Sequence, residues 1–109
     1  MRATVLALMV GLAIPAAAAA QDAKVAKGAE VYAAQKCGMC HSIGDKGNKK
    51  GPLDGVGAKL SAADIKAWMT DAKGMTAKTK ATRKPDMKSY TLPADELDAI
   101  VAYMLSLKK

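Results

Sequence analysis

Apolar positions recur at helical spacing in three stretches of this chain, and nowhere with the strict alternation of a half-buried strand. In the first, residues 22–36, Val25, Gly28, Ala29 and Tyr32 share one face behind Asp22, a plausible N-cap. Gly28 weakens a helix, so its place on the apolar face predicts close approach by another helix. This helix is expected to run straight into residues 37–41. The second stretch opens on Ser61-Ala62-Ala63-Asp64, a capping box with Asp in place of Glu. Ile65, Trp68, Met69 and Ala72 follow at i, i+3, i+4 and i+7, and the helix is expected to end near Gly74. The third begins at Pro93, a residue tolerated in a first turn, with Asp95 and Glu96 suited to the N-terminal dipole. Leu97, Ile100, Val101 and Met104 form its stripe, broadened by Tyr103 and Leu107. Between these helices, 42–60 is glycine-rich and reads as an irregular loop, and 75–92 is aperiodic and interrupted by Pro85. The predicted class is all-α, without repeats.

The N-terminus alters the domain reading. Arg2 supplies a positive n-region, 3–14 an apolar h-region, and Ala18-Ala19-Ala20 a small-residue cleavage site before Gln21. Residues 1–20 are therefore expected to be a cleaved signal peptide, and 21–109 a single domain. An uncleaved membrane anchor is the rival, against which Pro15 and the run of small alanines count. Composition then limits the core. Half of the 109 residues are apolar, yet there is no Phe, one Trp and three Tyr, so bulky core fillers are scarce. A small domain of this kind often needs a covalent or metal staple.

A candidate for that staple lies at Cys37-Gly38-Met39-Cys40-His41, which holds both cysteines and the sole histidine of the chain. C-x-x-C-H is the attachment signature of a c-type haem. Two thiols separated by two residues can reach the two vinyl groups of a porphyrin, and the adjacent imidazole is carried beneath the iron as proximal ligand. A zinc site lacks the two further ligands it requires, and a thioredoxin-type pair lacks the surrounding βαβ pattern. Glycines at 44, 47, 51, 55 and 57 match no phosphate-binding motif and suit backbone wrapped around a bulky group.

With His41 used and no second histidine, the sixth iron position falls to Met, Lys, an external ligand or nothing. Met39 lies within the attachment loop, and Met69 and Met104 hold core spacing on helices. Met75 and Met87 remain, and Met87 is the better placed, in an extended stretch late enough to return to the open face of a ring. A Met thioether there would raise the potential and close the site to added ligands.

In these residues the chain resembles the class I c-type cytochromes of bacteria. The resemblance runs through Lys27 to Tyr32, the C-x-x-C-H motif, Gly51-Pro52, Asp64 to Trp68, Lys84 to Tyr90, and 97–107. It implies a small cytochrome c fold, about three main helices wrapped around one haem c bound through Cys37 and Cys40. The first and last helices would cross near Gly28 and Tyr103. By the same resemblance the Pro52 carbonyl would accept from the free nitrogen of His41, Met87 would be the distal ligand, and Trp68 and Tyr90 would line the pocket. The sequence departs from the family pattern where Leu53 follows Pro52 directly, shortening the loop, where Asp71-Ala72 replaces Asn-Pro, and where Lys88 follows Met87. The implied function is a soluble periplasmic one-electron carrier, monomeric and not an enzyme. The alternative is a haem enzyme or a gas or peroxide sensor with a labile sixth ligand.

Charge bears on partners. The net charge is +7, and between 73 and 88 Lys73, Lys78, Lys80, Arg83, Lys84 and Lys88 face the single acid Asp86. Such a run is either a solvated loop or a docking ring for a redox partner with an acidic patch. Nucleic acid is the weakest option, because no recognition module is present.

Overall fold

A computed structural model describes residue 11 and residues 16–109. The signal-peptide reading falls mostly outside the described residues, and 16–20 form the start of the first helix. In chain order the described elements are α1 (Ala16–Ala34), a 3-10 turn (Cys37–Met39), β1 (Ser42–Ile43), β2 (Lys46–Gly47), α2 (Val56–Lys59), α3 (Ala62–Thr70), α4 (Ala72–Thr79) and α5 (Ala94–Ser106). The class is all-α, with α1, α3 and α5 as the long helices.

α1 and α5 cross at Gly28. A Cβ there would collide with the Ala99 carbonyl and the Tyr103 Cβ, so only glycine lets the backbones meet. The edge of one tyrosine ring meets the face of the other between Tyr32 and Tyr103, with centroids 5.8 Å apart and planes at 73°. On the outside of the crossing, Lys27 Nζ pairs with Asp95 at 2.5 Å. Asp22 lies within α1 rather than capping it, since the helix continues back through the alanines to Ala16. Nor does α1 run into the cysteines. It stops at Ala34, and Lys36 takes a left-handed φ of 57° that turns the chain into the 3-10 turn.

The region 42–60 is more ordered than its glycines suggest. β1 and β2 pair antiparallel, Ser42 opposite Gly47, and α2 packs against the end of α5, where the Gly57 N–H donates to the Leu107 carbonyl at 2.8 Å. The Ser61 hydroxyl caps α3 by accepting from the Asp64 N–H at 3.1 Å. The second helix is broken in two, however. Asp71 (φ −142°, ψ 57°) interrupts it, and its carboxylate accepts from the Gly74 N–H at 3.2 Å to begin α4. Gly74 therefore sits in a first turn and does not end a helix.

Among the described residues the core is thin. Val31, Met69 and Ile100 form its centre, with Tyr32, Cys37, Met87, Tyr90, Leu92 and Leu97 packed around them. No described helix is long and apolar enough to cross a membrane.

Candidate haem site

Beside that centre lies a cavity of about 580 Å³, within the usual range for small-molecule and cofactor sites. The C-x-x-C-H turn forms one wall, contributing Cys37, Met39, Cys40 and His41. α3 supplies Ile65, Trp68 and Met69, α5 supplies Ile100 and Met104, and Val56 of α2 closes the side together with the flanking Leu53 and Leu60. The segment after α4 brings Arg83, Met87, Lys88 and Tyr90 to the remaining wall.

The 3-10 turn explains how five consecutive residues present three reactive groups together. The N–H groups of both Cys40 and His41 donate to the Cys37 carbonyl, at 3.1 and 2.9 Å, drawing the motif into one coil. Cys37 is half-buried, and burial pushes its thiol up, whereas Cys40 is exposed. His41 Nδ1 lies 3.0 Å from the Gly51 carbonyl. A carbonyl can only accept, so Nδ1 carries the proton and Nε2 keeps its lone pair for a metal. Burial pushes the imidazole below its ordinary value, with the Gly51 bond opposing and the Arg83 charge assisting. At neutral pH the ring is therefore the neutral ligand form.

The acceptor is Gly51, not Pro52. Pro52 pairs with Ser42 in an isolated parallel bridge, in which the Ser42 N–H donates to Gly51 at 3.0 Å and the Leu53 N–H donates to Ser42 at 2.8 Å. Carbonyls alternate in direction along an extended chain, so the one aimed at His41 belongs to the residue before the proline. Pro52 is exposed and is not part of the cavity lining. The other expected residues, Cys37, Cys40, His41, Trp68, Met87 and Tyr90, all border the same cavity.

The methionines divide clearly. Met39, Met69, Met87 and Met104 border the cavity, and Met75 does not. Met75 is buried within α4, where a loop was expected. Met39, between the cysteines, is 73% exposed. Three further residues at or beside the cavity carry no expected role toward the cofactor in the sequence reading. Gly51 and Arg83 approach closely beside the motif, where a Cβ on Gly51 would strike both the Arg83 guanidinium and the Cys40 carbonyl. Tyr32 adds a ring to the wall, with a buried hydroxyl that has no partner among the described residues.

The donor set fits a covalently held haem. Two thiols, one neutral imidazole and four thioethers, Met87 among them, stand around an apolar cavity, and no cluster of three His, Cys, Asp or Glu among the described residues offers a competing metal site. Among known proteins, the family model described as "Cytochrome c" matches residues 25–108. No curated protein and no solved structure matched the chain.

Proposed function

The chain belongs to the cytochrome c family, a family that carries electrons on covalently bound haem c, and from that premise we propose that it is an exported, periplasmic monohaem carrier. Cys37 and Cys40 would hold the haem covalently, and His41 and Met87 would be the ligands of its iron. When bound, the haem supplies the one-electron ferric–ferrous couple. Everything else is done by the chain. The Gly51 carbonyl orients His41 and fixes its tautomer. The apolar walls from α3 and α5 keep water from the ring and lower the local dielectric. A Met87 thioether on the iron favours the ferrous state and leaves no position for peroxide or dioxygen.

The observation that carries this reading is that Met87 borders the cavity of the C-x-x-C-H motif whereas Met75 is held in α4. Lys36, Arg83 and Lys88 reach the same cavity wall, which supports docking of that face on an acidic patch of a redox partner. Such encounters are small and transient, as rapid exchange requires.

The optical spectrum of the ferric protein tests the assignment. A weak long-wavelength charge-transfer band marks thioether–iron ligation; Met87→Ala should abolish it and Met75→Ala should preserve it. The reverse result would reassign the ligand. No band in the wild type, together with rapid carbon monoxide binding to the ferrous protein, would instead mark an enzyme or sensor with a labile sixth position.

A further inference from the structure

Met87 lies on a strap, residues 82–88, whose hydrogen bonds to the rest of the described chain lie only at its ends. At one end the Ala81 N–H donates to the Thr76 carbonyl at 3.0 Å, closing α4 behind a left-handed Lys80. At the other, the Tyr90 N–H donates to the Met69 carbonyl at 2.7 Å and the Ser89 hydroxyl accepts from the Ala72 N–H at 2.9 Å. Between these points no backbone group of 82–88 is hydrogen-bonded among the described residues, and the one side-chain bond, Lys84 to Asp86 at 2.8 Å, stays within the strap.

The Ser89 contact arises from the broken helix. Asp71 ends α3, so the Ala72 N–H has no intrahelical acceptor, and the Asp71 carboxylate is engaged by Gly74. Ala72 is fully buried, at 0% exposure, with the Ser89 hydroxyl as the acceptor of its N–H. The acceptor comes from 17 residues downstream, two residues beyond Met87. From this geometry we infer that Ser89 is a positioning residue for the sixth iron position: its hydroxyl, by completing the α3–α4 elbow, keeps the strap closed and the Met87 thioether in place. The inference rests on the reading of Met87 as the distal ligand. Closed and open strap form a two-state equilibrium, and the Ser89 bond exists only in the closed state. Loss of the hydroxyl leaves a buried donor unpaired in that state alone, which shifts the equilibrium toward release.

Imidazole added to the ferric holoprotein reports the open population, because it reaches the iron only when the thioether has left. Its apparent affinity scales with the fraction open. Ser89→Ala should tighten apparent imidazole binding on the order of tenfold, the ratio one unmade buried hydrogen bond commands. Ser89→Thr, which retains the hydroxyl, should remain near wild type. Ser61→Ala is the control: it removes a cap of the same chemical kind from the exposed start of α3, at the opposite end of that helix from the Asp71 elbow. It should lower stability and leave imidazole binding unchanged. If Ser89→Ala only matches Ser61→Ala while Met87→Ala still abolishes the thioether band, the positioning role is overturned and the ligand assignment stands. If Met87→Ala preserves the band, both fail.

Discussion

Tyr32 shows how one atom can limit the pH range of the fold. Its hydroxyl is shut off from water without a partner among the described residues, and burial pushes the phenol up to about 12 from an ordinary 10.0. The protonated form is favoured in the folded state, so its contribution is complete below pH 10.0 and is lost as pH rises through about 12. Tyr32→Phe removes no hydrogen bond among the described residues. It should leave stability at neutral pH unchanged or slightly raised, and flatten the alkaline loss, as read from urea unfolding on either side of pH 10.0. Destabilisation at neutral pH would mean that the hydroxyl has an acceptor in the working protein. At this scale the chemistry of the motif was legible, since one histidine beside two cysteines leaves few alternatives. The acceptor for His41 was not. Gly51 and Pro52 are adjacent, and only the backbone path settles which carbonyl turns inward; the bridge between Ser42 and Pro52 leaves it on Gly51.

Between elements, backbone contact at the α1–α5 crossing carries the most specific requirement. Gly28→Ala would ordinarily gain about 1 kcal/mol of helix propensity. Here the added methyl meets the Ala99 carbonyl and the Tyr103 Cβ, neither of which is the free end of a flexible side chain. Overpacking of this kind costs about 1–3 kcal/mol net. The melting temperature should fall by roughly 4–8 °C per kcal/mol for a domain near this size, measurable by circular dichroism. An unchanged melting temperature would show that the helices can separate without cost. This crossing could be foreseen because a glycine on an apolar helical face gives up helix propensity and side-chain burial together, a loss that close backbone contact offsets. The break between α3 and α4 could not, because the spacing of Ile65, Trp68, Met69 and Ala72 passes through Asp71 without losing phase. Periodicity reports which face is buried, and that face stays the same on both sides of the elbow. The small hairpin escaped for a related reason: two-residue strands are too short to alternate.

For the molecule as a whole, three exposed basic residues, Lys36, Arg83 and Lys88, border the cavity. Charges on an exposed face act over a Debye length, about 10 Å at 0.1 M salt. Electron-transfer rates with an acidic partner should therefore fall steadily as ionic strength rises from low to physiological values, checked by stopped-flow mixing over a salt series. A flat profile would return the lysines to the role of a solvated surface. The scarcity of bulky side chains also takes its meaning here, because Met69 and Ile100, two of the three central core residues, also line the cavity.

Cys37 and Cys40 stand on the wall of that cavity. A haem joined to them is therefore part of the polymer. A cofactor held only by contacts stabilises a fold in proportion to its free concentration. A tethered one remains at the high effective concentration set by its short linkage, however dilute the surroundings. Refolding becomes a first-order event that needs no encounter with a second molecule. A carrier of this design can visit compartments that contain no free haem and return to its folded state with every component already in hand.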